Sequence, residues 1–308
     1  MKKLFLFLFL GLSLFIVGCE NVDFDESSKI VVYTRDTNSG TRDGFFTGIE
    51  FEDAVKDNTK LKSDAVQVES NGDMITKVKN DINGIGYISL ASYNSDDLNG
   101  LKFGGVVPTE ENVNNGTYKL TRNFNYIVAD YSESTNNTEK VKQKLIDAFL
   151  VFLTTKEAKT IIKANDGIVT INETDPSWES EKPTISDDLS NITLNVGGST
   201  SVEKIAKKLF ETFKESYTGL QVVHNHGGSG DAYKKTQGTE KGTLDVGFAS
   251  REFKITSSEP AKDNTYGKIA VDAIVVVVNK DNTVITDASK DLLKKIFSGE
   301  ADTWEDVK

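Results

Sequence analysis

Apolar residues along this chain fall into two kinds of run. Short blocks rich in Val and Ile stand at Ile30–Tyr33, Ile85–Ile88, Ile192–Val196, Leu220–Val223 and Val246–Ala249. Their length and β-branched content predict short buried strands. Other apolar residues repeat at helical spacing. Val202, Ile205, Ala206, Leu209, Phe210 and Phe213 share one helical face, and Val141, Leu145, Ile146 and Phe149 share another, in a segment that ends near Asp166-Gly167. Strands alternating with amphipathic helices predict an α/β fold with mostly parallel sheets. Ile269–Val278, broken only by Asp272, predicts a central strand buried on both faces or a strand running between two lobes. Asp175–Asn191 carries Pro176 and Pro183 and no hydrophobic period. It predicts an exposed linker, or else a long surface loop of one domain.

The N-terminus predicts a compartment. Lys2 and Lys3 precede an apolar run from Leu4 to Val17 that only Gly11 and Ser13 interrupt, as in a signal peptide over residues 1–18. The run ends in Ile16-Val17-Gly18-Cys19, which resembles a bacterial lipobox and implies a lipid on Cys19 and an extracytoplasmic protein anchored to the cell membrane. An uncleaved anchor or an ordinary signal peptide is the alternative. Residues 19–28 read as a polar tether. Cys19 is the only cysteine, so no internal disulfide supports the fold. The net charge of −11 argues against nucleic acid or an anionic lipid surface as partner. It does not argue against a small anion, which local backbone dipoles can hold against a distant field.

Three places share one design of strand, Gly/Ser/Thr turn and helix start. The first turn is Arg35-Asp36-Thr37-Asn38-Ser39-Gly40-Thr41, the second Gly197-Gly198-Ser199-Thr200-Ser201, and the third Gly227-Gly228-Ser229-Gly230. Free N–H groups and a partial positive charge at a helix start attract anions. Glycines allow close backbone approach, and hydroxyls add donors suited to a tetrahedral oxyanion. Arg35 adds a bidentate anion donor whose fork Asp36 or another carboxylate would hold. Each turn also has a purely structural reading. Thr200 with Glu203 fits a capping box, and Ser39 and Ser229 fit plain N-caps. His224-x-His226 puts two imidazoles on one strand face, but with no third ligand in the sequence nearby it reads as structural and no metal is expected. No Ser–His–Asp arrangement and no general base near the turns is legible, so neither catalysis nor a cofactor is expected.

Together these residues resemble the phosphate-binding proteins of the phosphate ABC transporter, with their type II periplasmic-binding fold. Arg35–Thr41 is similar to the family's Arg-x-x-Gly-Ser-Gly-Thr loop, and Gly198–Ser201 to its first anion loop. Gly228-Ser229-Gly230 with Asp245–Arg251 is similar to its second loop and the strand after it. Ile85-Gly86-Tyr87, Ile269–Asn279 and Ile296–Glu300 with Trp304 extend the likeness over nearly the whole chain beyond the signal segment. The resemblance implies a two-lobed protein that closes on phosphate and delivers it to ABC permease and ATPase subunits. It implies phosphate contacts at Thr200, Ser201, Ser229, Ser250, Arg35, Ser39, Gly40 and Thr41. A surface sensor or adhesion lipoprotein with the same fold, or a binder of another tetrahedral oxyanion such as sulfate, stands as the alternative.

Two positions depart from the family pattern. Asn38 replaces a glycine, which is mild because Asn tolerates left-handed backbone. Arg251 stands where some members carry an aspartate acceptor, and Asp272 is the candidate substitute. The order of the loops is also rotated, since in ordinary members the Gly198–Ser201 type of loop comes first. The resemblance therefore implies a circular permutant in which 175–191 joins the ordinary ends. Residues 132–174 and 192–270 would form lobe one, and 29–117 with 283–308 lobe two. Segments 118–131 and 271–282 would cross between them, with Lys29 and Lys308 close together in lobe two.

Overall fold

The computed structural model describes residues 24–308. β1 (Val31–Arg35) runs into α1 (Gly40–Gly48), and β2 (Val66–Val68) into α2 (Asn71–Lys79). β3 (Gly84–Ser89), the two-residue β4 (Asn99–Gly100) and β5 (Lys102–Phe103), and α3 (Glu110–Asn114) complete this first stretch. β6 (Thr121–Val128) leads across to α4 (Asn137–Thr154), α5 (Lys156–Ala164) and α6 (Trp178–Glu181). A second set of strand–helix units follows, as β7 (Thr193–Gly198), α7 (Glu203–Glu215), β8 (Gln221–Asn225), α8 (Ser229–Thr236) and β9 (Val246–Ala249). The long β10 (Tyr266–Val278) returns the chain to β11 (Asp287–Ala288) and α9 (Lys290–Ser298).

Parallel pairing is confined to each lobe. β1 pairs in parallel with β2 and β3, and β7 with β8 and β9. The strands that connect the lobes are antiparallel. β10 pairs with β6 through Tyr266–Ala273 and with β3 through Ile274–Val278, so one strand serves both halves of the sheet. The apolar stretch Ile269–Val278 thus meets both expectations for it, because it runs between the lobes and its residues from Asp272 to Val278 are all buried.

Each lobe has its own core. In lobe one the predicted face of α7 is buried, and Phe210 stacks on Phe149 at 4.1 Å. In lobe two Phe45 stacks on Tyr87 at 4.1 Å, with Phe46, Phe297 and Trp304 packed in the same cluster. That second core joins the beginning and end of the described chain. Ile30 N donates to Asp302 O at 2.8 Å, and Lys29 pairs with Asp302 at 3.0 Å. The buried Lys62 Nζ reaches Ile30 O and the Asp302 carboxylate, and Lys308 pairs with Glu26. The segment 175–191 differs from the exposed linker expected of it. Trp178 is buried against Phe152 and Phe213, and its indole N–H donates to Ser216 Oγ at 2.9 Å. A single aromatic anchor has no period, so it left no pattern to read.

Candidate functional site

Arg35 closes β1 and faces the cleft between the lobes. Its N–H donates to Tyr87 Oη at 3.0 Å, and its carbonyl accepts from Arg42 Nη1 at 2.8 Å. Arg42 turns its Nε and Nη2 to the carbonyls of Ala54 and Val55, so it is fixed in place and in turn fixes the backbone of Arg35. The Arg35 side chain is only 1% exposed. Nη2 donates to Glu69 O at 2.6 Å and to Thr200 Oγ1 at 3.1 Å, Nη1 lies 3.5 Å from Asn71 Oδ1, and Nε is buried without a partner. Among the described residues no carboxylate forms the expected clamp. Asp36 instead accepts from Asn38 N at 2.7 Å and tightens the turn, while the Glu69 carbonyl holds the fork. Burial pushes the Arg35 guanidinium below its ordinary value. A buried cation with no ion-pair partner among the described residues is costly unless an anion joins it.

At the start of α1, Ser39 is a genuine N-cap whose Oγ accepts from Thr41 N and Arg42 N. Its hydroxyl proton stays available to the cleft. Thr41 Oγ1 lies 3.0 Å from Ser201 Oγ on the opposite lobe. Gly40 marks a close approach of the lobes, since a Cβ there would lie 2.3 Å from Ser229 Oγ and 2.6 Å from Ser250 Oγ. Asn38 does not use left-handed backbone, as tolerance of it would allow. Its amide crosses the cleft to Asp231 at 3.2 Å, and its carbonyl accepts from Gly230 N at 3.1 Å.

Lobe one answers with hydroxyls. The capping box that Thr200 and Glu203 fit in sequence is not formed. Val202 is the N-cap of α7 and makes no side-chain bond, which frees the Thr200 hydroxyl to accept from Arg35. Ser201 Oγ is a meeting point, within 3.0 Å of Thr41 Oγ1, 3.1 Å of Asn71 Nδ2 and 3.0 Å of Arg122 Nη2. Ser229 opens α8 without capping it, and its Oγ accepts from Ser250 N at 2.9 Å. Ser250 Oγ in turn lies 2.9 Å from Ser199 Oγ and 3.1 Å from Ser229 Oγ. The eight residues singled out as anion contacts thus converge on one interlobe cleft.

Asp272 is set back from them. It is fully buried, and its Oδ2 accepts from Ser89 Oγ at 2.8 Å, Arg122 Nη2 at 2.7 Å and Arg122 Nε at 2.9 Å. Burial pushes its carboxyl above the ordinary range, with the Arg122 charge opposing. Arg251 turns away from the cleft hydroxyls into a two-pronged pair with Glu259 at 2.8 and 2.6 Å. Three residues went unread in the sequence: Arg122, Asn71 and Ser199. Ser199 stood inside a turn already singled out. Arg122 faces Asp272 across the β6–β10 ladder, a pairing that only the strand register discloses.

The two histidines stack beside this site, with ring centroids 5.5 Å apart. His226 Nδ1 donates to Ser199 O at 3.1 Å, which leaves its Nε2 to accept from His224 Nδ1 at 3.3 Å. Burial, with the neighbouring His226 second, lowers His224 to about 4. The pair therefore props the Ser199 turn as neutral imidazoles. Among the described residues no cluster of three or more His, Cys, Asp or Glu is placed to hold a metal.

Comparison with known proteins places this geometry. Residues 177–308 match the PBP superfamily domain. The chain is 33% identical to "Phosphate-binding protein PstS 2" of Streptococcus pneumoniae (serotype 4, strain TIGR4), with 100% of this chain and 99% of that one covered. It is 30% identical to the protein of the same name from Streptococcus agalactiae serotype V, over 95% and 92% of the two chains. Among solved structures, a phosphate ABC transporter phosphate-binding protein from Streptococcus pneumoniae TIGR4 superposes with a TM-score of 0.62 at 28% identity, covering 91% of this chain and 100% of that one. With matches at this identity that cover nearly all of both chains, the chain belongs to the PstS family of phosphate-binding proteins.

Proposed function

We propose that this protein binds inorganic phosphate between its lobes, outside the cell, and passes it to the permease and ATPase subunits of an ABC importer. The observation that carries the reading is Arg35, buried without a carboxylate among the described residues and bonded across the cleft to the Thr200 hydroxyl, next to the Thr41–Ser201 contact between the lobes. Phosphate supplies the missing negative charge and enough oxygens to engage the starts of α1 and α8 together. Contacts come from Thr200, Ser201, Ser229 and Ser250 of lobe one and from Arg35, Ser39, Gly40 and Thr41 of lobe two. Binding and closure are then one event, because neither lobe alone holds enough donors. Among the site residues nothing pairs a nucleophile with a base, which supports binding rather than catalysis.

Isothermal titration of the purified protein with phosphate, sulfate and molybdate tests this. Heat of binding with phosphate is expected, and no heat at millimolar phosphate would overturn the reading.

The membrane anchor rests on Cys19, which lies outside the described residues. Among those residues no helix is long and apolar enough to cross a membrane. Cys19→Ala should release the protein from the membrane fraction or leave it unprocessed, and unchanged fractionation with normal cleavage would contradict the anchor. The rotated order of the loops is proposed as a circular permutation. Its support is the contact between Glu26–Ile30 and Asp302–Lys308 within one lobe-two core.

A further inference from the structure

Two guanidinium groups reach the cleft, and the phosphate reading above uses only one. Arg122 projects from β6, in the sheet between the lobes, and is 8% exposed. Its Nε and Nη2 are held by Asp272, its Nη2 also touches Ser201 Oγ, and its Nη1 is buried with no partner. Ser201 is the same hydroxyl that Thr41 and Asn71 meet, and Arg35 grips the adjacent Thr200. The two cations therefore converge on neighbouring residues of one turn. Like charges brought together in a buried site repel unless an anion stands between them.

The carboxylates tell the complementary half. The hydroxyls of Ser39, Thr41, Ser199, Thr200, Ser201, Ser229 and Ser250 and the Arg35 guanidinium make no hydrogen bond to a carboxylate among the described residues. Among the described residues the one carboxylate bound to a site cation is Asp272, and its Oδ2 is already filled by Arg122 and Ser89. Its Oδ1 faces Ala91 N at 3.5 Å, on the side of β3. Arg251, at the position of the expected acceptor, is tied to Glu259. A dedicated carboxylate acceptor rejects sulfate because sulfate offers it no proton and leaves it facing a bare anion. Hydroxyls impose no such test, since each donates or accepts as the ligand requires.

We propose that Arg122, positioned by Asp272, is a second anion-binding guanidinium of this cleft, and that the site selects doubly charged tetrahedral oxyanions by charge and shape rather than by a proton on the ligand. Hydrogenphosphate and sulfate then bind with similar affinity. The inference rests on the phosphate reading and corrects the role considered for Asp272, which serves Arg122 and not the ligand.

Titration calorimetry at pH 8 with sodium phosphate and sodium sulfate, in a buffer free of both, tests it on the full protein and on Arg122→Gln and Asp272→Asn. In the unaltered protein the two affinities should agree within about tenfold. Arg122→Gln should weaken both on the order of 100-fold, since a charged hydrogen-bond donor is lost. Asp272→Asn should weaken both in parallel, by a smaller factor, and leave the sulfate-to-phosphate ratio unchanged. Thermal melting shows whether each variant folds. Should Arg122→Gln unfold by stranding Asp272, the double exchange Arg122→Gln/Asp272→Asn removes both charges of that pair and carries the same comparison. Sulfate at least about 100-fold weaker than phosphate in the unaltered protein would overturn the proposal, because an acceptor must then be present. So would an Asp272→Asn protein that loses phosphate and gains sulfate, or an Arg122→Gln protein that binds as before. Binding of neither anion by the unaltered protein would instead overturn the phosphate reading itself.

Discussion

The two lobes bring different chemistry to one cleft. Lobe one offers neutral hydroxyls on three turns, and those hydroxyls bond one another, as in the Ser199–Ser250–Ser229 chain. Lobe two offers a fixed charge, Arg35, whose backbone is locked by Tyr87 and Arg42. One half can rotate its protons to suit a ligand, and the other cannot move its cation away. On the proposed function, the charge sets how strongly the anion is held and the hydroxyls set the fit, so the two halves should respond unequally to substitution.

Arg35→Ala is the largest test of that asymmetry. It should cost about 3 kcal/mol of phosphate binding, because a ligand charge is left unpaired in a dry site. Equal losses in Arg35→Ala and Ser229→Ala, measured by titration calorimetry, would contradict the division of roles. Gly40→Ala comes next. Its added methyl meets Ser229 Oγ and Ser250 Oγ only when the lobes are closed. The melting temperature without ligand should hold or rise, since Ala suits a helix start better than Gly. Phosphate affinity should fall on the order of tenfold or more, from overpacking at the closed interface. A Gly40→Ala protein that binds normally would show that closure does not bring these groups together.

Ser229→Ala removes one hydroxyl from a chain that can rearrange, and should cost about 1 kcal/mol. The smallest effect is expected from rejoining the chain. Lys308 linked to Lys29 through a short Gly/Ser segment, with the chain opened between Ser186 and Asp187, keeps Trp178 and the buried residues of both cores and gives up the edge contact of Phe24 on Trp304. Its melting temperature should lie within a few degrees of the parent's, as surface termini that lie close together allow. A chain that fails to fold would contradict the permutation.

Much of this was legible before any coordinates. The strand blocks and the α7 face carry clean periods, and the glycine- and serine-rich turns announce helix starts whatever their tertiary setting. Seven of the eight proposed contacts were reachable because they sit in such turns, whereas Ser250, just past β9, was reached only through the family resemblance. What stayed hidden depends on strand register or on contacts between distant segments. Arg122 looks like an ordinary charged residue in a crossing strand until β10 brings Asp272 opposite it. Asn71 is the first residue of a helix with no unusual signal, and reaches Ser201 only through the packing of α2 on the sheet. Thr200 was ambiguous between cap and ligand contact, and only the position of Val202 removes the cap reading. Asp36 beside Arg35 suggested a clamp that a backbone carbonyl supplies instead, and carbonyls carry no sequence signal.

The central claim is that a tetrahedral oxyanion sits between the lobes, touching both. Crystallisation with arsenate, a heavier isostere of phosphate, and location of its anomalous signal tests this directly. The account predicts one strong peak within hydrogen-bonding distance of Arg35, Thr41, Ser201 and Ser229. A strong peak elsewhere, with that cleft lacking one, would contradict it.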